Sequence, residues 1–145
     1  MTLRELATCP AITCVRTAFV TQVAREMLEH DRGFLVVVDD ANGPVGVVTD
    51  RDLTLRVLAE GRRRDVPVGE VMTRPPTCVN VQASALDAAK LMETHLCRRL
   101  PLVDDSGVVV GVLSLDDLLG EAVDEARHLT SVLTDVRRRK CLDLS

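Results

Sequence analysis

Apolar residues recur along this chain in two rhythms. Val20, Val23, Ala24, Met27 and Leu28 follow the i, i+3, i+4, i+7, i+8 spacing that puts one buried face on a helix. The stretch "FLVVVDDANGPVGVVTD" comes next, from Phe34 to Asp50, with two Val-rich runs around Asp39-Asp40-Ala41-Asn42-Gly43. Turn-forming residues between two apolar runs predict a β-hairpin, and runs this continuous predict strands covered on both faces. A short extended segment at Thr13-Cys14-Val15 precedes the helix, and a second helix begins beside Arg51. The predicted unit is strand, helix, strand, strand, helix.

The same unit is then repeated. Gly46 falls on Gly111 at an offset of 65 residues, which holds without a gap from Glu5/Glu70 to Glu60/Glu125. Seventeen of those 56 pairs are identical, among them Thr8/Thr73, Pro10/Pro75, Met27/Met92, Asp39/Asp104, Gly46/Gly111 and Asp52/Asp117. A period this long is a duplication on the scale of a domain, beyond the 20 to 50 residues of solenoid repeats. In the second copy Ser84, with Asp87 three residues on, predicts an N-cap for the helix carrying Ala85, Ala88, Ala89 and Met92. "LPLVDDSGVVVGVLS" repeats the hairpin from Leu100.

The expected architecture is therefore α+β, with residues 1–62 and 63–126 as two units packed about a pseudo-two-fold axis. The joint from Gly61 to Glu70 is too short to act as an independent linker. A helical extension follows at 127–145. Past Asp116 its pattern runs through Leu119, Ala122, Val123, Ala126, Leu129, Val132, Leu133 and Val136. A stripe of that length on a terminal helix needs a cover: the other copy, or a second chain in a homodimer.

Composition narrows the partners. Phe19 and Phe34 are the only aromatics, so aliphatic side chains fill the core and base stacking on aromatic platforms is excluded. The net charge of −4 argues against nucleic acid as the main partner. Arg62-Arg63-Arg64 and Arg137-Arg138-Arg139-Lys140 are read as a solvated joint and a helix C-terminus. No apolar segment approaches the ~20 residues of a membrane span, and "MTLRELATCPAITC" lacks the pattern of a secretory leader, so a cytoplasmic location is expected. The five cysteines fit no metal or C-x-x-C spacing and are expected to be reduced. His30 and His95 fall on equivalent positions near helix ends, where a cation is favourable, and no third ligand recurs beside them at metal spacing.

"GVVTDRDL" (46–53) and "GVLSLDDL" (111–118) carry the candidate chemistry. Thr49-x-x-Asp52 and Ser114-x-x-Asp117 both fit a capping box, in which hydroxyl and carboxylate satisfy free backbone N–H groups. Such a cap is worth ~1 kcal/mol and explains the tetrapeptides without any ligand.

The chain as a whole resembles a tandem CBS-domain protein, the Bateman module. The resemblance is carried by "EVMTRPPTCV" (70–79), "METHLCRRLPLVDDSG" (92–107) and the two G-x-x-[ST]-x-x-D-L endings, and it spans about Thr2 to Glu125. It implies a regulatory module that binds an adenosine-containing ligand between paired repeats: AMP, ADP, ATP, an NAD-type cofactor or S-adenosylmethionine. It implies also that two chains associate, and that Asp52 and Asp117 hold ribose hydroxyls while Thr49 and Ser114 contact ribose or phosphate. No cofactor is required. A helix N-terminus supplies free N–H groups and a positive dipole for phosphate, and a first-turn carboxylate can accept both ribose hydroxyls.

The copies differ at one telling position, Arg51 in the first and Asp116 in the second. Arginine beside the helix start attracts phosphate and aspartate repels it, so the Thr49, Arg51 and Asp52 cleft is expected to be the better nucleotide site. Arg98 and Arg99 are further candidates for phosphate contact. No catalytic arrangement, Gly-rich phosphate loop or metal cluster is present, and Cys9 and Cys14 are the only openings for enzymatic chemistry. The expected role is a ligand-sensing module that signals to an effector protein. The alternative is a ligand-free module that supplies a dimer surface.

Overall fold

The computed structural model describes the backbone of residues 1–143 and no side chain at 136, 137 or 139–143. The expectations placed on Val136, Arg137, Arg139, Lys140 and Cys141 therefore lie outside the described side chains. The first repeat contains β1 (Thr13–Val15), α2 (Val20–His30), β2 (Phe34–Val38) and β3 (Pro44–Thr49). It closes with α3 (Asp50–Leu53), which continues into a wider π-type turn over Thr54–Leu58; a short helix α1 (Leu3–Leu6) precedes it. The second repeat has β4 (Val79–Asn80), α4 (Ala85–His95), β5 (Arg99–Val103), β6 (Val109–Ser114) and α5 (Leu115–Asp143).

Each repeat builds one three-stranded sheet. β1 runs parallel to β2, and β2 pairs antiparallel with β3; β4, β5 and β6 repeat the order. All five residues of β2 are buried, as the unbroken apolar run requires. The hairpins turn on matching left-handed residues, Asn42 (φ 60°) and Gly107 (φ 82°). Asp39 Oδ1 accepts from the Ala41 and Gly43 N–H groups, and Asp104 Oδ1 accepts from Ser106 and Val108. The Ser106 hydroxyl also donates to Asp104, and these bonds hold its carboxyl below the usual range.

Helix ends follow from local chemistry. Ser84 caps α4 through the Asp87 N–H at 3.0 Å, and the Asp87 carboxylate accepts the Ser84 N–H in return. α2 and α4 stop at left-handed residues, Asp31 (φ 50°) and Leu96 (φ 51°), which are 65 positions apart. On α2 the buried face is Val20, Val23 and Met27, while Ala24 and Leu28 stay exposed, which trims the predicted stripe by two residues.

The two repeats interlock through their leading segments. Leu3 is buried in the core of the second repeat with Val79, Ala88, Leu100, Leu102 and Leu113. Val68, Val71 and Met72 are buried in the core of the first, with Val23, Leu35, Val37 and Val48. The crossings are reciprocal: Thr8 bridges to Val112, and its equivalent Thr73 bridges to Val47, the equivalent of Val112. Gly46 and Gly111 sit where these segments pass, with no room for a side chain. A Cβ on Gly111 would lie 2.8 Å from the Thr8 carbonyl oxygen. A third cluster of Phe34, Val36, Val38 and Val109 joins the sheets across the pseudo-two-fold.

α5 begins in the second repeat and runs unbroken to Asp143, so the extension is one rod with the last helix of the fold. Leu118 is buried at its base, whereas Leu119, Val123, Leu129, Val132 and Leu133 are exposed. Its own chain does not cover the stripe.

Candidate functional site

Both capping boxes form. The Asp52 N–H donates to Thr49 Oγ1 at 3.0 Å, and the Thr49 N–H donates to Asp52 Oδ2 at 3.0 Å. The Asp117 N–H donates to Ser114 Oγ at 3.1 Å, and the Ser114 N–H to Asp117 Oδ2 at 2.9 Å. Each cap uses one carboxylate oxygen and leaves the other. The free oxygen of Asp52 faces Arg56 Nε at 3.8 Å, while Arg56 Nη1 donates to the Val71 carbonyl at 2.8 Å. The second copy carries Glu121 at that position, so Asp117 has no matching cation; Glu121 instead stands 3.6 Å from the N-terminal amine.

Beside each cap lies an open cleft made by both repeats. The Thr49 cleft, about 410 Å³, is lined by Thr49, Asp50, Arg51 and Asp52 from the end of the first repeat, with Phe34 and Val47. Its far wall is Thr73, Pro75 and Thr77, then His95, Leu96, Cys97, Arg98, Arg99 and Pro101. The Ser114 cleft, about 360 Å³, is lined by Ser114, Asp116 and Asp117, with Thr8, Pro10, Ala11 and Ile12 opposite. Asp31, Arg32 and Gly33, with Phe34, Arg99 and Val112, complete it. Thr49, Asp52, Ser114 and Asp117 are half-buried at the cleft edges, neither sealed nor fully solvated.

The clefts have opposite charge. Arg51, Arg98 and Arg99 outnumber Asp50 and Asp52 in the first; Asp31, Asp116 and Asp117 outnumber Arg32 and Arg99 in the second. The sequence comparison at 51 and 116 thus extends to the whole lining. Arg98 also sits 3.9 Å from Asp116, both well exposed, so this ion pair is weak and easily exchanged for a ligand. Arg99 and Phe34, equivalent positions of the two copies, line both clefts.

Sequence reasoning reached the far walls only at Arg98 and Arg99, and missed the rest. They come from the leading segment of the opposite repeat and from the C-terminal ends of α2 and α4. The identities Thr8/Thr73 and Pro10/Pro75 were the available signal, but only the crossing of these segments brings them to the clefts. His95, read as a helix-end cation, lines the Thr49 cleft, whereas its equivalent His30 pairs with Glu26 at 3.2 Å. Glu26, Glu29 and His30 bring ligand atoms within 4.8 Å of one another, but all three are exposed and none lines either cleft.

Cys9, Cys14, Cys78 and Cys97 are free thiols. Burial, with a smaller contribution from the Glu26 charge, pushes the Cys14 thiol up to about 11; burial does the same for Cys78. Cys14 is therefore protonated near neutral pH and lacks the activation that thiol catalysis needs.

Two duplicated units that exchange their leading segments, with a cleft of mixed parentage beside each C-terminal cap, define a paired-repeat module with two pseudo-equivalent sites. The family model for the CBS domain matches residues 3–59 and 68–124. The chain belongs to the CBS-domain family. It is similar to the uncharacterized protein MK0525 of Methanopyrus kandleri, 34% identical over 116 residues that cover 79% of this chain and 59% of that protein. It is also similar to the CBS domain-containing protein YhcV of Bacillus subtilis, 35% identical over 116 residues that cover 80% of this chain and 81% of that one. Among solved structures it resembles the CBS domain protein PAE2072 from Pyrobaculum aerophilum complexed with AMP. That match has a TM-score of 0.74 and 31% identity, covering 81% of this chain and 89% of that one. Among the described residues no helix is long and apolar enough to cross a membrane.

Proposed function

We propose that this chain is a cytoplasmic regulatory module that binds an adenosine-containing nucleotide, first of all AMP, in the Thr49 cleft and signals to an effector protein as a homodimer. The observation that carries this reading is the cationic excess of that cleft, with Arg51, Arg98 and Arg99 gathered at a capped helix start. The similarity to PAE2072, whose structure holds AMP, supports the ligand class. In this reading the free oxygen of Asp52 accepts a ribose hydroxyl in competition with Arg56, and the three arginines meet the phosphate. Phe34, Val47 and Pro101 offer the base apolar walls, with Phe34 the one aromatic ring among them. The Ser114 cleft, with its acidic excess, takes a nucleoside without phosphate or stays empty. No catalytic step is part of this role.

Thermal unfolding with and without AMP tests it. A ligand at 100 times its Kd adds about 2.7 kcal/mol to the folded state, which raises the midpoint by roughly 5–10 °C for a chain of this size. Asp52→Asn keeps an acceptor for the cap and removes the second one, so it is expected to abolish the AMP shift, while Asp117→Asn keeps most of it. Equal losses would refute the ranking of the clefts. No shift with AMP, ATP or S-adenosylmethionine would favour the ligand-free interaction module, a reading that draws on the use of both hydroxyls as cap acceptors.

A further inference from the structure

We infer that α5 is the association surface of this chain and that it pairs antiparallel with α5 of a second copy. The inference gives the proposed homodimer a surface and an orientation, and it does not depend on which ligand the clefts take.

The exposed face is regular. Leu119, Ala122, Ala126, Leu129 and Leu133 follow one another at alternating steps of three and four, the seam of a two-helix coiled coil. Val123 and Val132 broaden it. Leu119 is 53% exposed, Val123 47%, Leu129 63%, Val132 47% and Leu133 58%. Among the described residues, those five account for most of the large exposed apolar side chains in the second half of the chain, and they lie on a rod that extends beyond the body after Glu121. Over Leu119 to Leu133 the stripe is about 21 Å long at 1.5 Å per residue.

Charge selects both the occupant and the direction. The first half of α5 carries Asp116, Asp117, Glu121, Asp124 and Glu125 against Arg127; the second half carries Arg137, Arg138, Arg139 and Lys140 against Asp135 and Asp143. A parallel pair would set acid beside acid at one end and base beside base at the other. An antiparallel pair sets the acidic start, Asp116 and Asp117, along the partner's basic end at positions 138 and 139, the complementarity that disfavours the parallel arrangement. The seam agrees with it. About a two-fold axis between Arg127 and His128, Ala126 meets Leu129 and Ala122 meets Leu133 of the other copy. Every layer then joins a residue of one seam row to a residue of the other, and the interface is isologous, so it closes at two chains.

The test is the mass of the intact chain in solution by light scattering, followed by orientation through cross-linking. The wild type is expected at twice the 15.8 kDa chain mass. Leu129→Glu with Leu133→Glu, both exposed, is expected at the single-chain mass with an unchanged thermal midpoint for the body and an unchanged response to AMP. In a background with the native cysteines replaced by serine, a chain bearing Ala122→Cys is expected to form a disulfide with a chain bearing Leu133→Cys, and neither with itself. Each chain cross-linking only with itself would overturn the antiparallel pairing. A double variant that remains dimeric would overturn α5 as the surface and leave the homodimer intact. A wild type at the single-chain mass would overturn both, while the AMP shift would judge the nucleotide reading separately.

Discussion

Gly111→Ala tests the crossing of the leading segments directly. The added methyl would lie 2.8 Å from the Thr8 carbonyl oxygen and 2.5 Å from Cys9 Sγ. The sulfur can rotate away, but the carbonyl is fixed by two reciprocal bonds: Thr8 N–H to Val112 O and Val112 N–H to Thr8 O, each 3.0 Å. Ordinary contact is reached only if Thr8 retreats by roughly half an ångström, which stretches both bonds and draws Leu3 out of the second core. Overpacking of this kind costs about 1–3 kcal/mol, and weakening the bridge adds a fraction of the 0.5–1.5 kcal/mol that each hydrogen bond contributes. The sum is about 2–4 kcal/mol. The equivalent methyl on Gly46 meets first the Met72 side chain, which can move, and only then the Thr73 carbonyl at 3.1 Å. Gly46→Ala is expected to cost about half as much. Gly120, on α5, has open space around it, and Gly120→Ala is expected to stabilise by up to 1 kcal/mol. Urea titrations of the three variants provide the measurement, with the midpoint as readout and a constant slope as the check on two-state behaviour. If Gly111→Ala is as stable as the wild type, or more stable than Gly46→Ala, the fixed crossing is wrong.

Two further outcomes follow from local chemistry. Leu96 holds a left-handed backbone (φ 51°) while 92% exposed, so it carries strain without packing in return; Leu96→Gly is expected to raise stability by about 0.5–1 kcal/mol in the same titrations. A loss instead would show that the side chain packs in solution. Cys14 and Cys78, with thiols near 11 instead of 9, expose about a hundredfold less thiolate at pH 8 than an unshifted thiol. Mass spectrometry during iodoacetamide labelling is expected to show exposed Cys9 modified first and these two last. Comparable rates at Cys14 and Cys9 would mean that the β1 edge opens readily.

The order of elements was legible because period and turn chemistry are local properties. Val-rich runs around Asp39 to Gly43 can form little but a hairpin, and Ser84 with Asp87 marks a helix start wherever the helix packs. The capping residues of the site were legible for the same reason. Apart from Arg98 and Arg99 the far walls were not, because they depend on which repeat receives each leading segment. Nothing in "TLREL" says that Leu3 enters the core of the other copy, and so nothing local places Pro10 across from Ser114 or Pro75 across from Thr49. The charge contrast between the clefts was legible because it follows from substitutions between equivalent positions, Arg51 for Asp116 and Gly33 for Arg98, whose spatial equivalence the duplication guarantees. His95 went the other way: its equivalence to His30 suggested one shared role, yet the two histidines have different neighbours.

The traded leading segments bear on how such a molecule arose. One unit alone has a hydrophobic prong with no slot of its own and a slot with no prong, since Leu3 of the first half serves the second, and Val68, Val71 and Met72 of the second half serve the first. An ancestor encoding a single unit would have been complete only as two chains clasping each other. Joining two genes end to end turned that mutual grip into an internal one, and afterwards each half was free to acquire its own charge without unbalancing a twin.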